Sequence, residues 1–387
     1  MRPLYVLIRN KLKEMKKRLL STGLLIVLAT TIITSCSKKE ENKNSSNDLD
    51  RKPMLEHYAN NYIIPAYADM TQKLNALKTS VAAFTTTPNA TTLGALRTSY
   101  RTAYITWQKV DMLEFGPGAD ATLRNFINIY PASTTKVNDN ISSNSYDLEA
   151  FGNKDAQGFP ALDYLINGAA STDQLIVDQY TTDPQANNRK QYLLAIANKM
   201  LEKVTNVSNT WSNYKDDFIN NTGIDVSSSL TVMVNGYVQY YERNLRAGKI
   251  GLPVGAMTGF ASPQIVEAYY MPELSKELAL TALNAIKDFY TGKGYNGTNG
   301  ASMQSYLAAL GTKDNDGSLI ADVVVKEIDE AITALQNLNT TILNGVQNNR
   351  TEVLEIYEQL QDVVPLLKVD MVSAFSISIT YVDNDGD

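Results

Sequence analysis

Apolar residues recur at intervals of three and four over most of the chain from residue 53 to residue 375. That spacing places side chains on one face of an α-helix, and few stretches alternate in the way that a strand requires. The connections are short, and no hairpin dipeptide separates two alternating runs. We therefore predict an all-α fold in which helices pack into bundles.

The helical stretches are bounded by proline, glycine and short polar side chains, which begin and end helices. A natural division lies near 180–188 and predicts two helical domains, 53–182 and 183–387. Residues 377–382 alternate and predict an extended tail. The predicted helices cover 54–84, a stretch capped by Thr91 or Thr92 that ends at Gly116, 158–168, 183–223, 227–245, 275–290, 303–310, 318–343 and 351–375.

One cysteine and one histidine occur in the 387 residues, Cys36 and His57. An intramolecular disulfide is therefore excluded, and so is any mechanism that needs two histidines. His57 stands near the start of the first helix. A lone histidine in such a place is usually a surface or capping residue, so we expect that role for it.

Charge is divided unevenly along the chain. Residues 1–35 hold seven lysines and arginines and one acid, which leaves 28 basic and 40 acidic residues in 36–387, a formal net charge of −12. Nucleic-acid binding requires a basic surface that neutralises phosphates. We therefore expect no nucleic-acid partner, whereas an acidic body is compatible with cations.

The N-terminus has the pattern of an export signal. A basic group at 15–18 precedes a short apolar run at 19–33, and small residues then lead to Cys36. The ending resembles a bacterial lipobox, which implies cleavage after residue 35 and lipid attachment to Cys36. A plain signal peptide is the alternative. We predict a signal peptide at 1–35 that starts at Met15, a disordered tether at 36–52, and a cell-envelope protein anchored in the outer membrane, facing the periplasm or the exterior.

Several landmarks fall in a fixed order along the body. They are 107–117, 128–131, 158–166, 249–253 and the tail 370–375 with 383–387. Together they resemble the imelysin family, also called imelysin-like peptidases, in its Bacteroidetes lipoprotein form. The resemblance implies two helical-bundle domains with a functional site in the cleft between them, a cell-envelope setting and a link to iron uptake; some members have been called metallopeptidases.

The hallmark of that family is Gly-x-His-x-x-Glu, which maps onto Gly158, Pro160 and Asp163. A histidine and a glutamate three residues apart lie on one helical face, so both could bind one metal ion. Here proline replaces the histidine, and aspartate replaces the glutamate. Proline offers a metal no lone pair, and catalytic zinc sites usually have three protein ligands. Asp163 remains as the one candidate metal ligand, and the ligand implied is iron or another divalent cation.

Other side chains are candidates for the same cleft. Asp111 and Glu114 follow an apolar helix, and Arg246 and Lys249 flank a Gly-Leu-Pro turn. The two acids could instead be solvated helix-end residues, and the two basic residues could instead pair with a helix C-terminus, which are the commoner roles. The acidic turns 314–317 and 383–387 could attract calcium, but the first lacks the glutamate of an EF-hand loop and both fit ordinary turns.

We expect a binding or accessory component of iron or metal uptake rather than an enzyme, with iron-uptake components as its partners. No serine-centred elbow or phosphate-binding glycine loop is present in the sequence. Two alternatives stay open. One is a metal-dependent peptidase, and the other is a lipoprotein that binds a glycan or a peptide in a tyrosine-lined cleft.

Overall fold

The computed structural model describes residues 49–381, and helices make up most of that range. The apolar stripes account for them, because their members form one continuous buried core. No strand is present in that range, so the all-α prediction is confirmed. The α-helices are α1 Lys52–His57, α2 Ile64–Thr86, α3 Ala90–Trp107, α4 Pro117–Asp120, α5 Arg124–Ile127, α6 Thr134–Ser143, α7 Gly158–Asp163, α8 Asp173–Asp178, α9 Ala186–Asn220, α10 Ser229–Gln239, α11 Leu252–Val254, α12 Pro272–Thr291, α13 Met303–Leu310, α14 Ile320–Asn337, α15 Ile342–Asn348, α16 Arg350–Pro365 and α17 Val372–Ala374.

Wider π-helical turns extend several of these helices. They are Tyr58–Ile63, Tyr164–Gly168, Tyr240–Gly251 and Leu366–Met371, and short 3₁₀ turns occur at Asp111–Leu113, Phe151–Ala156 and Pro263–Ile265. A π turn is rare in proteins and is often found at functional sites. Here one π turn continues the motif helix α7, and another carries both Arg246 and Lys249.

Two long helices organise the packing. Helix α9, 35 residues long, lies along α2, and α2 also packs against α3. Toward the C-terminus α14 packs against α16 and α12, and α12 also contacts α3. The described residues cluster as one compact unit. The predicted division at 182/183 falls between α8 and α9, and it stays a prediction.

Helix ends differ from the predicted ones where a neighbouring side chain caps better. Helix α3 begins after Asn89, whose side chain accepts from the Thr92 backbone N–H while the Thr92 hydroxyl accepts from the Asn89 N–H. Asparagine is among the best capping residues, so the cap lies before Thr91. The helix predicted at 318–343 ends at Asn337, and α15 starts separately.

The C-terminal segment contacts α10 without forming a strand. Asn235 accepts from the Thr380 backbone N–H with its side-chain oxygen, at 2.7 Å, and donates to the Ser378 carbonyl, at 2.9 Å. One amide side chain therefore supplies the pair of bonds that a strand neighbour would make. Residues 378–381 have no regular structure, so the predicted extended tail is present only as this docked segment.

The acidic turn at 314–317 is closed by its own hydrogen bonds. The Asp314 carboxylate accepts from the backbone N–H groups of Asp316 and Ser318, at 3.0 and 2.8 Å. Gly317 has a φ of +85°, which favours glycine. These bonds fit the turn role rather than a calcium loop.

Several predictions concern residues that lie outside the described range. They are the signal peptide 1–35, Cys36, the tether up to residue 48 and the second acidic turn 383–387. Within 49–381, no helix combines the length and the hydropathy that crossing a membrane requires.

Candidate functional site

The motif helix α7 starts at a glycine that no other residue could replace without movement. Gly158 has a φ of +72°, and a Cβ added there would lie 2.3 Å from the Ile127 carbonyl oxygen. Pro160 follows in the first turn, where its missing N–H costs no helical bond. All six residues of α7 are buried, and the Phe159 ring stacks on Tyr104 with centroids 4.3 Å apart. The predicted helix start is confirmed.

Asp163 ends this helix and is only 1% exposed. Its Oδ1 accepts from the Asn167 side-chain amide and its Oδ2 from the Tyr270 backbone N–H, both at 2.9 Å. The sequence required such partners, because a buried carboxylate without hydrogen bonds is costly. Burial nevertheless raises the pKa of Asp163 to about 7, since the bonds offset only part of the lost hydration.

Pro160 and Asp163 both line a cavity of about 250 Å³. Its other walls come from the segment around Tyr130 and from the irregular segment that ends in Tyr269 and Tyr270. These three tyrosines are half-buried and face a common space. The two positions at which the family motif has its histidine and glutamate therefore open into one tyrosine-lined cavity.

The donor set of this cavity does not fit a tightly held metal ion. Asp163 is the only acid among the lining residues, and both of its oxygens already accept hydrogen bonds. The side chain of Pro160 has no atom that could coordinate a metal. In the described residues 49–381, no group of three His, Cys, Asp or Glu side chains is arranged to hold a metal. Asp163 thus stands without the further ligands that a metal centre needs.

A buried polar network lies behind the cavity and is centred on Glu267. Lys249 Nζ donates to Glu267 Oε2 at 2.5 Å and to Gln108 Oε1 at 2.6 Å. Glu267 Oε1 accepts from the amides of Asn128, at 2.8 Å, and Gln108, at 3.2 Å. The Tyr104 hydroxyl donates to Asn128 Oδ1 at 2.7 Å.

All five side chains of this network are at most 4% exposed. A buried ion pair persists only when further hydrogen bonds satisfy both of its partners, and here the two amides provide them. Because Val266 and Ala268, on either side of Glu267, line the cavity, the network fixes that wall in place.

Asp111 and Glu114 share one cation. Arg124 donates from Nε to Asp111 Oδ1 at 2.7 Å and forms an ion pair with Glu114 through Nη1. Burial raises the pKa of both carboxyls, although the arginine opposes the shift. Asp111 is 3% exposed, so it is not a solvated helix-end residue.

The structure brings some of the sequence candidates together and separates others. Lys249 is close enough to Asp111 to oppose the rise in the Asp111 pKa that burial causes. Arg246 instead donates to the Tyr357 hydroxyl at 2.7 Å and to Gln361, and it lies 3.9 Å from Glu242. Among the described cavities, the one that Glu114 lines is separate from that of Asp163.

Glu267, Arg124 and Tyr270 are among the site residues that were not predicted from the sequence. Glu267 and Tyr270 belong to an irregular segment, where helical periodicity carries no signal. An acid between apolar neighbours, as in the run from Val266 to Ala268, was the available sign of a buried carboxylate.

His57 is buried, so the expected surface or capping role is wrong. Its Nε2 lies 2.8 Å from the Gly292 carbonyl and therefore donates, while Nδ1 accepts from the Asn61 amide at 3.1 Å. The backbone at Gly300 comes so close that a Cβ there would be 2.0 Å from Nδ1. Through these contacts His57 links the 292–300 loop to helix α1.

Comparison with known proteins agrees with this architecture. Two crystal structures resemble the chain, each at 18% sequence identity. An imelysin-like protein from Psychrobacter arcticum 273-4 has a TM-score of 0.66, and the match covers 86% of this chain and 97% of that one. A protein from Parabacteroides distasonis ATCC 8503, described as an iron-regulated protein A precursor, has a TM-score of 0.67, with 84% and 94% covered.

At these identities the two structures show a shared fold. No curated protein sequence matches the chain. The family model Peptidase_M75: Imelysin matches residues 63–365, which include the motif helix, the buried network and the cavity walls. Because this match spans most of the sequence, the chain belongs to the Imelysin family.

Proposed function

We propose that this protein is a cell-envelope lipoprotein that serves iron or metal uptake as a non-catalytic binding component. The observation that carries the proposal is the pairing of Pro160 and Asp163 on the wall of one cavity. The two motif positions line the same cavity, but only Asp163 has a side chain that could bind a metal. A site of this kind suits ligand binding better than metal-dependent hydrolysis, which needs an activated water on a well-coordinated ion.

The link to uptake is supported by the family and by a neighbour. The Parabacteroides distasonis protein of similar fold is described as iron-regulated. The anchor is supported by the sequence before Cys36, which resembles a lipobox. A lipid at Cys36 would hold the acidic body at the membrane surface, where it would meet uptake components.

Gene deletion in the source bacterium tests the uptake role. We expect slower growth under iron limitation, restored by the wild-type gene and not by Cys36→Ser, which removes the lipid site. Mass spectrometry of the mature protein should show a lipidated Cys36. Normal growth of the deletion strain at every iron concentration would refute the uptake role, and an unmodified Cys36 would refute the anchor.

A metal-dependent peptidase is the second candidate, because the matching family model is described as a peptidase. It predicts cleavage of protein substrates that a chelator abolishes and that Asp163→Asn reduces. We expect no such cleavage, since Pro160 provides no ligand. Chelator-sensitive proteolysis by the purified wild-type protein would establish this candidate in place of the binding role.

A further inference from the structure

The walls of the motif cavity combine one carboxylate with aromatic rings. Asp163 lies at one side, and Tyr130, Tyr269 and Tyr270 form much of the rest. The Tyr269 and Tyr270 rings meet edge to face, with centroids 5.1 Å apart. Among the lining residues, all within the described part of the chain, there is no lysine, arginine or histidine.

Within residues 49–381, no cation forms a salt bridge with Asp163. Its hydrogen-bond donors, which include the Asn167 amide and the Tyr270 backbone N–H, are neutral groups. The charged group that acts on it is Glu273, a second acid. A cation that entered the cavity would therefore gain a buried carboxylate without displacing another positive charge.

A metal ion and an organic cation make different demands on such a site. A metal ion needs several oxygen, nitrogen or sulfur ligands, whereas the only acid here is Asp163 and Pro160 contributes apolar ring atoms. An organic ammonium ion has its own apolar substituents and needs aromatic faces and one counter-charge. Apolar proline and tyrosine surface beside a single carboxylate meets the second set of demands.

We propose that the motif cavity binds an organic ammonium group, with Asp163 as its counter-ion and the three tyrosines around its substituents. The proposal rests on the proposed function only in taking this cavity as the ligand site of a binding protein. A volume of about 250 Å³ lies below the range usual for drug-sized ligands. The site therefore suits a small ammonium head, free or at the end of a larger molecule.

Calorimetry with two matched probes tests the proposal. Choline chloride and its uncharged isostere 3,3-dimethylbutan-1-ol are titrated into the full chain at pH 8, in a non-ionic detergent. We expect choline to bind at least about tenfold more tightly than the isostere, because cation–π contacts and the carboxylate act only on the charged probe. Zinc and iron(II) salts are titrated in parallel.

Two variants assign the binding to this cavity. Asp163→Asn should weaken choline binding at least about tenfold, and Tyr269→Leu should weaken it about threefold or more. Tyr214→Leu is the matched control, since Tyr214 is also half-buried but lines a different cavity, and it should leave the affinity unchanged. Circular dichroism and the Tm show that each variant is folded; if Asp163→Asn does not fold, Tyr269→Leu still decides.

The outcomes separate this inference from the proposed function. Choline binding with a loss in either cavity variant supports the inference whether or not metals bind. Absence of choline binding up to 10 mM, roughly the weakest range of specific recognition, overturns the inference whether or not metals bind, and metal binding in that case leaves the uptake role standing. Equal affinity for choline and the isostere also overturns it, as does choline binding that neither cavity variant changes.

Discussion

Tyr270 donates its backbone N–H to Oδ2 of Asp163 across 2.9 Å, although 107 residues separate the two in the chain. This bond joins the irregular segment that precedes α12 to the end of the motif helix α7. It also places Tyr270 at the cavity and gives the buried carboxylate a hydrogen-bond donor. The motif helix and the cavity wall are therefore parts of one structural unit.

The raised pKa of Asp163 predicts how stability depends on pH. Below about pH 4 the folded and unfolded states both hold the proton. Between about pH 4 and pH 7 the unfolded chain loses it first, so the contribution of Asp163 to stability is full at low pH and is lost as the pH approaches 7. The free energy of unfolding of the wild type, relative to Asp163→Asn, should fall by about 3 kcal/mol between pH 4.5 and pH 7.5.

Urea unfolding at several pH values measures this difference. Asp111 and Glu114 have raised pKa values too, but they are present in both proteins and so cancel. Asp216→Asn, at an exposed position, is the control and should follow the wild-type profile. A constant difference between wild type and Asp163→Asn would show that the buried carboxyl does not titrate in this window.

Glycine at position 158 should be required for stability. Gly158→Ala brings a Cβ to 2.3 Å from the Ile127 carbonyl oxygen at a φ of +72°. Backbone strain at the positive φ and displacement of the Ile127 carbonyl should together lower the free energy of unfolding by about 2 to 4 kcal/mol. The matched control is Gly94→Ala in α3, which has open space around it and should stabilise by about 0.5 kcal/mol. Equal effects at both sites would contradict the close contact.

The buried network should show strong coupling between Lys249 and Glu267. Glu267→Gln leaves a buried ammonium without its carboxylate, which typically costs about 3 to 5 kcal/mol. The double variant Lys249→Met with Glu267→Gln should lose less free energy of unfolding than the sum of the losses in the two single variants. We expect the difference to be at least about 1 kcal/mol. Chemical unfolding of the four proteins in this cycle gives the coupling energy.

A surface pair provides the comparison for that cycle. Lys326 lies 3.0 Å from Glu330 on α14, and Lys326 is 63% exposed. Lys326→Met should leave the free energy of unfolding nearly unchanged, because water solvates the remaining glutamate. If removing the lysine charge changed the free energy of unfolding equally in the buried and the exposed pair, the network would not be fixing the cavity wall.

Ligand affinity should follow the ionisation of Asp163. Because a cation binds the ionised carboxylate, choline affinity should rise roughly 30-fold between pH 5.5 and pH 8.5. Burial holds the pKa values of Tyr100 and Tyr104 well above the usual range, so both stay neutral throughout. Calorimetry at four pH values measures the rise, and Asp163→Asn should abolish it. Glu273→Gln should preserve it, which separates Asp163 from the neighbouring acid.

Local rules were enough to predict the helices and the start of α7. The tolerance for Pro160 in a first helical turn and the need of Asp163 for partners both follow from neighbouring residues. The positions of Glu267 and Lys249 do not, because the pair joins Gln108 and Asn128 across 139 to 159 residues of chain. The periodicity of apolar residues carries no information about contacts between irregular segments.

Two interpretations changed because side chains met distant parts of the fold. Arg124 forms ion pairs with Asp111 and Glu114, and Asp111 is buried. The sequence had favoured two solvated acids. His57 is covered by a loop more than two hundred residues later, at Gly292 and Gly300. In each instance the local sequence favoured exposure, and long-range packing produced burial.

A zinc titration tests most directly whether proline at position 160 leaves the motif positions without a metal site. The wild type and the double variant Pro160→His with Asp163→Glu, which restores the family pair on one helical face, are titrated by calorimetry. We predict no wild-type site tighter than roughly 100 μM and a gain of at least about tenfold in the double variant. Stoichiometric micromolar binding by the wild type, lost in Asp163→Asn, would contradict the account.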